Sequence, residues 1–191
     1  MNRKKAILSI FFAGGGIVAT YSGWEWYEIS KTPDLHYLDE NKELIADLSE
    51  IIIPRTNTPG ARDAKVHETI ISLVKNVSDR KTQNNFIEGL KAVENYSFKT
   101  FKNPFTALSA KQQKDVVTYF FERGKNFKDN LGKAKNKILG KSFFEILKYY
   151  SSIAFCTSEP GATQALAYDY IPGKYIGCMP VSANQRSWAT K

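Results

Sequence analysis

Histidine and cysteine are the side chains that most readily bind a metal or act as a nucleophile, and this chain contains only two of each. His36 and His67 are far apart, and Cys156 and Cys178 have no short spacing to each other or to either histidine. A zinc site needs three or four converging ligands, and a nucleophilic thiol needs a base that a third group orients. Cys178 with His67 could form a nucleophile pair, but no third group accompanies them. A surface or capping position is the commoner role for each histidine.

The motifs of other cofactor sites are absent from the sequence. It contains no Gly-rich dinucleotide fingerprint, no G-x-x-x-x-G-K phosphate loop and no G-x-S-x-G nucleophile turn. It also lacks the C-x-x-C-H haem motif, and two cysteines are too few for an iron–sulfur cluster. The sequence therefore predicts a chain that is not an enzyme and holds no catalytic, cofactor-binding or metal site of its own.

The first 23 residues have the layout of a bacterial export signal. Arg3, Lys4 and Lys5 precede an uncharged apolar run over residues 6–20, and small residues follow. This run is short for a membrane-spanning helix, which needs about 20 apolar residues. We therefore expect residues 1–23 to be an export signal or an N-terminal membrane anchor. We also expect the domain to work in the periplasm, where an anchor would hold it at the inner membrane. Residues 24–39 are predicted to form an extended tether.

Five segments have the apolar periodicity of amphipathic helices. They cover residues 40–53, 63–77, 78–96, 109–121 and 142–155. Asp63, Asp79 and the Ser109/Gln112 pair are predicted caps. The second helix has an apolar side made of Val66, Ile70, Ile71, Val74 and Val77. The last helix is apolar around most of its circumference, so it should be the most buried. Because strands and helices do not alternate, residues 40–191 are predicted to form a single mainly α domain, a compact bundle of about five helices.

Positive charge is concentrated in the middle of the chain. Twelve of the 27 Lys and Arg residues, but only four of the 19 Asp and Glu residues, lie in residues 95–150. Such a segment could face nucleic acid, anionic lipid or an acidic partner, although a solvated helix face is the commoner explanation. An export signal argues against nucleic acid.

The C-terminal segment from residue 156 has a different composition. Pro-Gly pairs fix backbone bends, and tyrosines and a tryptophan lie between them. This content predicts a long, ordered, Pro/Gly-rich tail, which could cover its own helices or a partner.

Two motifs in this order resemble the gluconate 2-dehydrogenase subunit 3 family. The first is a helix followed by PRTNTPGA, and the second is TSEPGA followed by Tyr168, PGKYIGC and a closing Trp188. The resemblance extends over residues 42–190. The family's usual twin arginine is reduced here to Arg3-Lys4.

The resemblance implies a non-catalytic small subunit of a membrane-associated dehydrogenase. In such complexes a large subunit carries FAD and oxidises gluconate or a related sugar, and a cytochrome c subunit often passes electrons to quinone. The small subunit would bind and stabilise the large one and assist its maturation and export. The alternative is a free-standing exported or membrane-anchored helical binding module that has no dehydrogenase partner.

The two motifs are hypothesised to lie close together and to form the face that contacts the large subunit. The residues assigned to this face are Pro54, Thr56, Thr58, Pro59, Gly60, Thr157, Ser158, Glu159, Gly161, Tyr168, Pro172, Gly173, Tyr175 and Trp188. Cys156 and Cys178 are disulfide candidates because the periplasm permits oxidation. They could be joined to each other, be joined to the large subunit, or remain buried thiols.

Overall fold

The computed structural model describes residues 31–125 and 140–168, together with residues 170, 171, 173, 177, 178, 180, 183 and 185–189. The described part contains six α-helices, a short 3₁₀ helix and a π-helical turn. The α-helices are α1 (His36–Glu40), α2 (Lys42–Ile52), α3 (Val66–Asn76), α4 (Arg80–Phe101), α5 (Ala110–Lys125) and α6 (Phe143–Thr157). The 3₁₀ helix is Phe105–Ala107 and the π-helical turn is Gly161–Ala165. This confirms the mainly α fold class, and no strand occurs in the described residues.

Three of the five longer helices, α4, α5 and α6, begin where local side chains satisfy their free backbone N–H groups. The Asp79 carboxylate accepts a hydrogen bond from the Thr82 N–H at 2.9 Å. Ser142 and Glu145 form a capping box at the start of α6, and Gln112 accepts from the Ser109 N–H at 3.0 Å ahead of α5. The predicted caps at Asp79 and Ser109 are therefore confirmed.

The core lies around α6, which contacts each of the helices α2 to α5 and the π-helical turn. Ile146 and Leu147 of α6 are almost completely buried, as are Phe86 and Leu90 of α4. The prediction that this helix would be the most buried is wrong, since five of its 15 residues are buried against five of the 11 residues of α2. Its apolar residues meet neighbours on several sides, but polar residues such as Lys148 and Ser152 remain exposed.

The predicted extended tether is wrong for residues 36–39, which belong to α1. Leu38 is fully buried in the core, and the Lys75 ammonium contacts the Asp39 carboxylate at 2.6 Å. The hydrogen bond from Lys75 is the main cause that lowers the pKa of Asp39. This short helix is thus docked mainly by one fully buried residue, which gives no periodic pattern in the sequence.

Three further local predictions, on the start of α3, the burial of Val77 and the end of α4, are wrong. Asp63 does not cap α3, which starts after Lys65 in the left-handed conformation (φ 50°). Val77 is 70% exposed, because α3 ends at Asn76 and residue 77 no longer follows the helical face. In addition, α4 continues to Phe101, five residues beyond the predicted end.

No helix in the described part of the chain is long and apolar enough to cross a membrane. The predicted export signal or anchor at residues 1–23 lies outside the described residues. Most of the Lys- and Asn-rich stretch 124–139 lies outside them as well.

Replacing the cap Asp79→Ala should lower the free energy of unfolding by about 1 kcal/mol at neutral pH. The Thr82 hydroxyl and backbone N–H hydrogen-bond the carboxylate and lower the pKa of Asp79. A lowered folded-state pKa gives stability that is present above the unfolded-state pKa and is lost as the pH falls through the folded-state pKa. The difference in the free energy of unfolding between the variant and the wild type should therefore disappear in acid. We call this difference the gap.

Urea unfolding followed by circular dichroism at neutral and acid pH measures this gap. Asp34→Ala is the matched control, because this exposed aspartate precedes α1 and caps no helix. Equal losses in the two variants, or a gap that widens in acid, would contradict the role of Asp79.

Candidate partner-binding site

The two motif segments come together in space. The loop after α2 and the turn after α6 line one open, mostly polar pocket of about 370 Å³. The lining residues are Arg55, Thr56, Asn57, Thr58, Pro59, Asp63, Pro160 and Gln164. Segments about 100 residues apart in the sequence thus form one surface, which we call the motif face.

The loop of the motif face is held by the carboxylate of Glu50, in the last turn of α2. One carboxylate oxygen accepts from the Arg55 N–H at 2.9 Å, and the other accepts from the Arg62 N–H at 2.8 Å. A Cβ on Gly60 would lie 2.4 Å from this carboxylate. Glycine is therefore needed at residue 60 because any side chain would displace the group that closes the loop.

Asp63 fixes the same loop from its other end. Its carboxylate accepts from the Gly60 N–H at 3.0 Å and from the Arg55 guanidinium at 3.4 Å. The Thr56 and Thr58 hydroxyls are 3.3 Å apart. These contacts explain why Asp63 does not cap α3: its carboxylate is used within the loop.

Arg62 ties the loop to the exposed side of α2. Its guanidinium donates to the carboxylates of Asp47 and Glu43, the latter at 3.1 Å. The hydrogen bond to Asp47 is the main cause that raises the pKa of Arg62. The loop backbone is thus connected to α2 at Glu50 and through the Arg62 side chain.

The second motif folds as a tight turn after α6. The Ser158 hydroxyl donates to the Phe155 carbonyl at 2.7 Å and accepts from the Gly161 N–H at 3.1 Å. A Cβ on Gly161 would lie 1.9 Å from the Phe155 carbonyl oxygen. The serine and the glycine of this motif therefore have a structural role, since they allow the chain to turn back against the end of α6.

A short extended segment at residues 185–189 docks beside this turn. The Ala167 N–H donates to the Ser187 carbonyl and the Ala189 N–H to the Ala167 carbonyl, each at 2.8 Å. Arg186 donates to the Gln164 carbonyl at 2.7 Å. The pairing brings the main chain of Tyr168 and Trp188 beside the turn of the motif face, and these residues are 47% and 38% exposed.

The structure places most of the hypothesised contact residues on or beside the motif face. Thr56, Thr58 and Pro59 line the pocket. Pro54, Thr157, Glu159 and Gly173 are exposed, whereas Gly60 and Gly161 are buried. Pro172 and Tyr175 lie outside the described residues. Whether these residues contact a partner stays a prediction.

The remaining candidates for chemistry are dispersed. Cys156 and Cys178 are both exposed and free in this structure, and their pairing stays a prediction. His67 lies in the first turn of α3, and its Nδ1 is buried without a hydrogen-bond partner in the described part of the chain. Within the same residues no group of three His, Cys, Asp or Glu side chains is placed to hold a metal.

Several residues of the site were not predicted from the sequence, among them Arg55 and Pro160 of the lining. Glu50, Asn57, Gln164 and Arg186 hold or line the motif face, and none of them stands out by type or local spacing. The position of Glu50 one turn before Pro54 offers a signal, because a carboxylate there can reach the N–H groups of the loop that follows.

The fold and the site define a small, all-helical protein with one preorganised polar face bordered by aromatic side chains. The sequence model for gluconate 2-dehydrogenase subunit 3 matches residues 39–173, which is more than half of the chain. The protein therefore belongs to the gluconate 2-dehydrogenase subunit 3 family, a family of dehydrogenase-complex subunits. No curated protein and no solved structure gives a significant match.

Replacing Glu50→Ala should lower the free energy of unfolding by about 1.5–3 kcal/mol, because two backbone N–H groups lose a charged acceptor. Backbone hydrogen exchange should accelerate at Arg55 and Arg62. Glu43→Ala is the matched control, since Glu43 contacts the Arg62 side chain but no loop N–H. Exposed ion pairs of that kind contribute about 0–1 kcal/mol. Unchanged exchange at both amides in the Glu50 variant would contradict the closing role of Glu50.

Proposed function

We propose that this chain is a non-catalytic small subunit that binds the large FAD-dependent subunit of a gluconate-type dehydrogenase. The observation that carries the proposal is the motif face. Both family motifs are used to build and brace one exposed surface, and the hydrogen bonds of Glu50 and Asp63 hold its loop in shape. A surface fixed before contact loses little conformational entropy on binding.

Hydride transfer and FAD belong to the large subunit in this proposal, and a cytochrome c subunit is a further partner. The small subunit stabilises the large one and assists its maturation and export. The complex works in the periplasm, where residues 1–23 have delivered the small subunit or anchor it to the inner membrane. The reactive residue types support this division, since the sequence offers no acid–base, metal or nucleophile set.

Binding energy in such an interface comes chiefly from a few aromatic anchors surrounded by polar contacts. Tyr168 and Trp188 have the type and exposure of such anchors. The polar pocket beside them supplies the hydrogen-bonding part of the contact. An interface of standard size buries about 1,600 Å² in total, which is more than the pocket alone can provide. Tyr168 and Trp188, which we call the aromatic border, must therefore take part.

Deleting the gene for this chain in its own host tests the maturation role. The proposal expects dye-linked dehydrogenase activity and the amount of flavin-loaded large subunit in the membranes to fall together, and expression of the chain in trans to restore both. Unchanged flavoprotein content and activity in the deletion strain would overturn the proposal and favour a free-standing binding module.

A further inference from the structure

The pocket of the motif face contains two side-chain carboxamides that come from the two separate motifs. Asn57 belongs to the loop after α2, and Gln164 belongs to the π-helical turn. Both residues are exposed. Within the described part of the chain neither carboxamide has a hydrogen-bond partner, although the Gln164 main-chain carbonyl accepts from Arg186.

The charged residues of the pocket are already paired. Arg55 and Asp63 are the two charged lining residues, and their side chains contact each other at 3.4 Å. Thr56 and Thr58 share a hydrogen bond between their hydroxyls. The lining side chains therefore carry no net charge, and the contact between Arg55 and Asp63 weakens the attraction of this pocket for a charged ligand.

Neutral carboxamides are suited to recognise peptide groups. Each has one carbonyl oxygen that accepts and an NH₂ group that donates. Each residue other than proline has one backbone N–H and one C=O, which point to the same side in an extended chain. A single carboxamide can thus bond both groups of an extended main chain. Binding of that kind depends on backbone geometry and tolerates different side chains.

The walls of the pocket are rigid enough to hold such a segment. Glu50 and Asp63 bond three backbone N–H groups of the loop, and the Ser158–Gly161 contact fixes the start of the turn that carries Gln164. Pro59 and Pro160 form further parts of the lining. The two carboxamides are therefore presented on fixed backbone.

We propose that Asn57 and Gln164 form a carboxamide clamp that binds an extended, uncharged main-chain segment of the large subunit. This inference rests on the proposed function, because it names what the partner inserts into the motif face. It assigns recognition of the partner's backbone to the clamp and leaves side-chain anchoring to the aromatic border.

The test uses the full chain and the flavoprotein recovered with it from native membranes. Asn57→Ala and Gln164→Ala should each raise the dissociation constant about 5-fold and the double variant about 20-fold, as expected for neutral hydrogen bonds. Asn103→Ala is the matched control, because this exposed asparagine bonds a carbonyl of its own chain outside the pocket. Thermal unfolding of each variant verifies that the fold is retained.

Hydrogen exchange of the flavoprotein identifies the group that enters the pocket. Binding of the wild-type chain should protect one short run of backbone amides, and the double variant should lose protection in that run while keeping it elsewhere. Wild-type affinity in the double variant would overturn the clamp and leave the accessory-subunit proposal standing. Weaker binding with the protected run intact would also overturn the clamp, because the occupant would then be a side chain. Failure of the wild-type chain to bind any flavoprotein would overturn both proposals.

Discussion

Replacing Tyr168 and Trp188 together by alanine is expected to weaken binding of the large subunit by at least about 30-fold. The two aromatic rings are 47% and 38% exposed beside the motif face. Truncation of a central aromatic anchor typically costs about 2 kcal/mol or more, and every 1.4 kcal/mol is about a tenfold change in the dissociation constant. The main-chain pairing of Ala167 with residues 187–189 should survive, since it uses no side chain.

Tyr149→Ala supplies the control for this result. Tyr149 is 54% exposed, but it lies on α6 beside Tyr150 and Lys141 and is not part of the motif face. Affinity is measured by titrating each purified variant against the flavoprotein. Full affinity in the double variant combined with a loss in the Tyr149 variant would move the contact surface to another side of the molecule.

Replacing Phe86→Ala should lower the free energy of unfolding by about 3–5 kcal/mol. Phe86 is completely buried in α4, and its ring centroid lies 5.4 Å from that of Phe143 at the start of α6. Its removal leaves a cavity between the two helices that hold the core together. The motif face would then be lost only to the extent that the whole domain unfolds.

Phe98→Ala is the matched control for the core variant. Phe98 lies on the same helix but is 50% exposed, so its truncation should change stability little. Urea unfolding measures both variants, and partner binding is compared at equal concentrations of folded protein. A small loss for Phe86 or a comparable loss for Phe98 would show that the α4–α6 contact is not the centre of the core.

The helices could be predicted because their signals are local. Apolar spacing and the caps at Asp79 and Ser109 act within a few residues, so they appear in the sequence as they do in the structure. The short helix α1 was missed because Leu38 is its only fully buried residue. A single anchor has no period, and its burial depends on helices that come later in the chain.

The site could be predicted only in outline. The two motifs are hypothesised to lie close together because they share a family resemblance, and the loop after α2 lines one pocket with Pro160 and Gln164. The roles of Glu50 and Asp63 depend on distances across a folded loop, so residue types alone suggested a cap for Asp63 and nothing for Glu50. The amides of Asn57 and Gln164 were missed for the same reason, because about 100 residues separate them in the sequence.

Capture of the tagged full-length chain from its native membranes tests the central claim most directly. We expect a large protein with a flavin absorption spectrum to be captured with it, and a sugar or sugar acid to bleach this spectrum. Capture of a colourless chain alone, at every salt concentration used, would contradict the claim that the motif face binds a flavoprotein.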